Sequence, residues 1–133
     1  VAIAESTSGG LLGAMLLAVP GASGLFAGSL TVYSAPAAQA LLPHEVLRQL
    51  VPPKDYLQGP DVYRRSKEIF SLTLARHVRE RFGSTWAVAE SGASDASTLP
   101  RRLRQAGAFS CVAIVGPGVE FARFVEGGDV RED

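Results

Sequence analysis

Glu5-Ser6-Thr7-Ser8-Gly9-Gly10 packs a carboxylate, three hydroxyls and a glycine pair between a short apolar run, Val1 to Ala4, and a longer run of small and apolar residues, Leu11 to Val19. A strand that turns through Ser and Gly into a helix gathers several backbone N–H groups at one point. Orphan donors and the helix dipole then act together and favour phosphate or another anion. The same spacing also suits a plain tight turn with a serine N-cap, and a short glycine motif does not separate the two.

Two further segments carry residues of the same kind. One is Tyr33-Ser34, with the loop Gly21-Ala22-Ser23-Gly24 feeding its strand; the other is Glu90-Ser91-Gly92. Open α/β sheets bind ligands beyond the carboxyl ends of their strands, so the three segments are expected to converge there. Hydroxyls, amides, two carboxylates and a phenol suit a small phosphorylated molecule better than a metal. His44 and His77 have neither the pairing nor the spacing of zinc ligands, and both read as surface or half-buried helix residues. No Gly-x-Ser-x-Gly elbow occurs. Serine–lysine chemistry would need a lysine near the pocket; Lys67 falls mid-helix and Lys54 in a Pro-rich loop. The run Arg101-Arg102-Leu103-Arg104 reads either as a phosphate site or as a solvated surface stretch. Trp86 and Cys111 lie in strand patterns and read as packing.

Several elements must position these residues. Val1 to Ala4 reads as a buried strand and Gly9 to Ala18 as a helix stopped by Val19-Pro20-Gly21. Leu25 to Tyr33 reads as a second strand. Ala35 to Leu42 and His44 to Leu50 are short helical pieces, and 51–54 is a loop. Asp61 to Phe82 is the clearest helix, with Ile69, Leu72, Ala75, Val78 and Phe82 as its apolar stripe and Gly83 as its stop. Thr85 to Glu90 is a third strand. Phe109 to Val115 and Val119 to Val125 form a hairpin around Gly116-Pro117-Gly118. This order predicts one α/β layered domain, with its early strands parallel and its last pair antiparallel.

The chain has 133 residues, enough for one domain with one core. With 47% hydrophobic and 20% charged residues it is too apolar for disorder. Lys plus Arg equals Asp plus Glu at 13 each, so no bulk field favours nucleic acid or an anionic membrane. No apolar run reaches the length of a membrane span. The one cysteine excludes an internal disulfide and fits a reducing, cytoplasmic compartment.

Ala4-Glu5-Ser6-Thr7-Ser8-Gly9-Gly10-Leu11-Leu12 resembles the A-E-S-C-T-G-G-L/W block of the CinA C-terminal domain family, competence/damage-inducible domains that act as nicotinamide mononucleotide deamidases. Val19-Pro20-Gly21-Ala22-Ser23 is similar to the family's V-P-G-S-S, Thr31-Val32-Tyr33-Ser34 to V-T-Y-S, and Trp86 to Gly92 to A-V-T-G or A-V-S-G. Phe124 to Asp129 looks like F-x-G-D-R, with Val130 at the arginine and Arg131 one place later. The resemblance implies a three-layer α/β/α domain over 1–133, with a mixed sheet of about five strands and without the family's terminal helices. It also implies a homo-oligomer, a phosphorylated nucleotide as ligand, and no cofactor.

The resemblance further implies roles. Ser23 stands at the serine nucleophile and Tyr33 at the site tyrosine. Glu5, Ser6, Thr7, Ser8, Gly9, Gly10, Ser91 and Gly92 would hold the substrate, with amides around Gly9 and Gly10 on phosphate or a developing oxyanion. The chain departs from the family pattern in Tyr33-Ser34-Ala35-Pro36-Ala37-Ala38, where an ungapped alignment puts Ala38 at the family's lysine, and in Ala93-Ser94-Asp95-Ala96, where the family has Gly-Pro. A serine without a base is a poor nucleophile. Three readings follow: a weak or altered nicotinamide mononucleotide deamidase, a catalytically silent nucleotide-binding or oligomer-scaffold homologue, and a structural subunit without ligand.

Overall fold

The computed structural model describes residues 1–50 and 59–127. The loop expected over 51–54, with Lys54, and the closing residues from 128 onward lie outside the described residues. The elements run β1 (Ala2–Glu5), α1 (Leu11–Leu17), a 3₁₀ turn (Ala22–Gly24), β2 (Gly28–Thr31), α2 (Ala35–Leu41), α3 (His44–Leu50), α4 (Pro60–Phe82), β3 (Ala87–Ala93), two 3₁₀ turns (Ala96–Thr98 and Arg101–Ala106), β4 (Phe109–Gly116) and β5 (Val119–Glu126).

The five strands form one mixed sheet in the order β2-β1-β3-β4-β5. β1 is parallel to β2 and β3, while β3–β4 and β4–β5 are antiparallel, as the order of elements predicts. The β4–β5 hairpin closes through Pro117-Gly118, where Gly118 takes a φ of +67° that an L side chain adopts only with strain.

The face that meets α4 is lined with alanines: Ala2, Ala4, Ala87, Ala89 and Ala113 are fully buried. Small strand residues let the helix approach, and its larger side chains Leu74 and Val78 fill the gap. α4 starts with Pro60 in its first turn and ends on Gly83 (φ +63°), whose amide reaches back to the carbonyls of Arg79 and Glu80. Its buried stripe is Ser71, Leu74, Ala75 and Val78. Of the stripe expected from spacing, Ala75 and Val78 are buried and Leu72 and Phe82 pack half-buried against the core, but Ile69 is 41% exposed, and Ser71 and Leu74 are buried instead.

The opposite face carries α1 over β1 and β2. Gly13 is the point of closest approach: a Cβ there would lie 3.1 Å from the Ser29 hydroxyl and 3.4 Å from the Glu5 carboxylate. A second cluster, Tyr63, Ala93, Leu103, Ala106 and Phe109, closes the carboxyl end of β3. It tucks Leu103 of the Arg101–Arg104 run inside and leaves the run's arginines exposed.

Candidate functional site

The turn after β1 is held by two carboxylates of the chain itself. Glu5, fully buried, accepts from the Ser8 hydroxyl (2.7 Å) and from the amides of Gly10 (3.2 Å), Leu12 (2.8 Å) and Gly13 (3.0 Å). Burial pushes the Glu5 carboxyl up, but these bonds outweigh it and hold its pKa below the ordinary carboxylate value. Glu90, also buried, accepts from the amides of Ser6 (3.3 Å) and Ser8 (2.9 Å) and from the hydroxyls of Thr7, Ser8 (2.9 Å) and Ser110 (3.1 Å). The Gly9 amide bonds the Ser6 carbonyl at 3.2 Å. The amides of Gly9 and Gly10, expected on phosphate or an oxyanion, are therefore already bonded inside the turn. The anion that the turn calls for is supplied by Glu5.

The other expected site residues divide between the two ends of the sheet. Tyr33 follows β2 at its carboxyl end and is 74% exposed. Ser23 lies in the 3₁₀ turn ahead of β2, where Leu25 and Ala27 bond Val1 at the amino end. β2, rising about 3.3 Å per residue, stands between them, so one chain does not bring Ser23 and Tyr33 into the single pocket expected. Ser91 is buried on the α4 face opposite Cys111. Gly92 is a packing glycine: a Cβ there would lie 2.0 Å from the Phe109 carbonyl oxygen.

A cavity of about 600 Å³ opens at the carboxyl end of β2, between α2, α3 and α4. Tyr33, Ala38, Leu47 and Phe70 give it an apolar and aromatic wall, and His44 and Arg48 stand on its α3 side. α2 reaches it because Ser34 caps the helix, accepting from the Ala37 amide at 3.3 Å, with Pro36 in the first turn. Among the described residues, no group of three or more His, Cys, Asp or Glu is placed to hold a metal ion, and no helix is long and apolar enough to cross a membrane.

One residue that the sequence places mid-helix, away from any pocket, stands close to the site. Lys67 sits one turn before Ser71 on the buried stripe of α4, with its Nζ 5.4 Å from the Tyr63 ring centroid and 5.9 Å from that of Phe70. The signal that could have found it is its spacing: 67, 71, 74 and 78 share one helical face.

Comparison with known proteins agrees with this architecture. The CinA C-terminal domain matches residues 1–133. A CinA-like protein of Parasynechococcus marenigrum (strain WH8102) is 37% identical over 92 residues, covering 69% of this chain and 19% of that protein. One from Synechococcus sp. (strain CC9902) is 36% identical over 94 residues, with the same shares covered. The chain thus spans about a fifth of the length of the curated relatives it matches. A CinA superfamily protein from Enterobacter cloacae superposes with a TM-score of 0.65 at 21% identity, over 96% of this chain and 68% of that one. A competence/damage inducible protein from Agrobacterium tumefaciens gives 0.64 at 18%, over 97% and 71%. At these identities the structures establish the shared fold, and the sequence matches establish descent: the chain belongs to the CinA C-terminal domain family.

Proposed function

We propose that this domain binds a nicotinamide-type mononucleotide in the cavity beside Tyr33 and hydrolyses its amide poorly or not at all. The observation that carries the reading is the cavity itself. Tyr33 and Phe70 offer ring faces to a flat heterocycle, and Arg48 brings a planar cation to the wall, which favours a phosphorylated ligand over a neutral one. The deamidase chemistry of the resemblance would need Ser23 to attack a carboxamide held near Tyr33. In one chain β2 separates the two, and this favours the reading as a binding homologue over a competent amidase. Homo-oligomer formation belongs to the same reading, and sedimentation velocity reads it directly.

Calorimetric titration with nicotinamide mononucleotide, paired with an ammonia assay, tests the proposal. Saturable binding is expected, weakened about tenfold by Tyr33→Ala, the scale of a lost stacking contact. Ammonia release is expected far below the roughly 1–10³ s⁻¹ ordinary for enzymes. Absence of binding at millimolar nucleotide would overturn the binding reading, and ordinary turnover would overturn the second half.

A further inference from the structure

Lys67 is an unusual residue for its place. The register fixes its height along the sheet. Arg64, one turn before it, stacks on Phe109 at 4.6 Å, and Phe109 pairs with Ala93 at the end of β3. Ser71, one turn after it, donates its hydroxyl to the Cys111 carbonyl at 3.0 Å, and Cys111 pairs with Ser91. Lys67 therefore stands between the levels of Ser91 and Ala93, where β3 ends and the chain leaves β1.

Its ammonium lies over two rings. Tyr63 belongs to the second apolar cluster, and Phe70 is shared with the wall of the cavity beside Tyr33. Two ring faces meet its charge, but no carboxylate of the described residues pairs with it. Burial lowers the Lys67 pKa, and the Glu90 carboxylate opposes that only in part. Glu90 does not approach within ion-pair distance: among the described residues the ion pairs are Arg64–Glu126 and Arg76–Glu120. Glu90's oxygens are instead taken by the Ser6 and Ser8 amides and the Thr7, Ser8 and Ser110 hydroxyls. No described residue accepts a hydrogen bond from the Lys67 ammonium. A half-buried ammonium that meets ring faces but no acceptor keeps its N–H donors free for a ligand oxygen, and it stands at the strand ends where α/β sheets meet their ligands.

We infer that Lys67 is the inner cation of the site and receives an anionic oxygen, of phosphate or carboxylate, from a small ligand whose ring occupies the neighbouring cavity. This rests on the cavity being a ligand site, as proposed above. Arg48 on the α3 side is exposed and shared with solvent. Lys67, half-buried over the rings of Tyr63 and Phe70, offers a charge less screened by water, so a ligand bonded to it gains more per contact.

The chain has two lysines, at 54 and 67. Biosynthetic labelling with [ε-¹³C]lysine therefore gives two signals, and loss of one in Lys67→Arg assigns them. The probes are inorganic phosphate, nicotinate and nicotinamide mononucleotide. We expect the Lys67 signal to shift saturably with the mononucleotide, and Lys67→Met to weaken binding about tenfold or more, with Lys67→Arg recovering part of it. A shift with phosphate but not nicotinate names the phosphate as the bound oxyanion; the reverse names a carboxylate. If the mononucleotide perturbs the Tyr33 and Phe70 resonances while Lys67 stays still, this inference is overturned and the nucleotide reading stands. If phosphate or nicotinate moves Lys67 but the mononucleotide binds nowhere, the nucleotide reading fails and the oxyanion seat stands. Silence of Lys67 towards all three probes overturns the seat.

Discussion

Glu5 and Glu90 meet on one hydroxyl: the Ser8 oxygen lies 2.7 Å from Oε1 of Glu5 and 2.9 Å from Oε2 of Glu90. Glu5 comes from the end of β1 and Glu90 from the neighbouring β3, so Ser8 ties the turn to both central strands. A hydroxyl carries a single hydrogen, which it shares between the two acceptors. Backbone amides supply the rest for Glu5, and amides together with the Thr7 and Ser110 hydroxyls supply it for Glu90.

Replacing Glu5 removes the acceptor for three amides at the start of α1. Glu5→Gln is expected to lower stability by about 2–3 kcal/mol, because an amide nitrogen then faces backbone donors and charge-assisted bonds are lost. The folded-state pKa of Glu5 is below its ordinary value. Its contribution is therefore fully present above that value, about 4.5, and is lost as pH falls through the folded pKa. Urea melts at pH 7 and near pH 3.5 should show a smaller drop for Glu5→Gln than for the parent chain. An equal drop would place the acid sensitivity elsewhere.

Gly92→Ala is expected to cost about 2–3 kcal/mol, since its Cβ would lie 2.0 Å from a β4 carbonyl oxygen that cannot move without opening the β3–β4 ladder. Hydrogen exchange should quicken at Ser110 and Phe109 first. A loss within about 0.5 kcal/mol would mean the two strands separate freely at that end.

The stripe of α4 makes a paired prediction. Leu74→Ala, at a fully buried position, should destabilise by about 2–5 kcal/mol. Ile69→Ala, at a position 41% exposed, should cost much less, near the roughly 0.5 kcal/mol of surface changes. Thermal melts of the two variants decide it, and equal losses would contradict the observed burial of the two positions.

Cys111 is expected to be inert in the folded chain. Burial pushes its thiol up to about 11, with the Ser71 contact opposing only part of that, so almost no thiolate exists at pH 7. Reaction with a chromogenic disulfide should be slow and should accelerate with urea in step with unfolding. Rapid reaction in buffer alone would show that β4 opens locally.

Elements written in local chemistry are legible in the sequence. Pro60 and Gly83 bracket α4, Gly118 marks the hairpin turn, and the order of strands and helices carries the parallel and antiparallel pairing. Partners distant along the chain are not legible. The glycine turn reads as an anion site with Glu90 nearby, but that the Glu90 carboxylate itself takes up the turn's donors follows only from the register of β1 on β3. Ser23 reads as a neighbour of Tyr33 because a short strand separates them in sequence, yet an extended strand carries its two ends apart. Lys67 is set aside in the sequence because a charged residue within a helix reads as solvated. It shares the helical face that Leu74 and Val78 press against the alanine-lined sheet and is half-buried there.

Strand β1, first along the chain, is central in the sheet, and this orders the folding reaction in time. Its pairing with β2 spans the shorter stretch, residues 6–27 with α1, but Ala2 meets its other neighbour only when Ala87 has arrived, with the Ala2 amide on the Trp86 carbonyl at 3.0 Å. Closing so long a loop costs entropy before any contact rewards it, so this step is expected to be slow compared with formation of the helices. Trp86 is the single tryptophan, and its ring lies over Gly116 at the far end of β4. Its emission thus reports the late joining of the parallel and antiparallel halves, which far-ultraviolet ellipticity, dominated by α4, passes over.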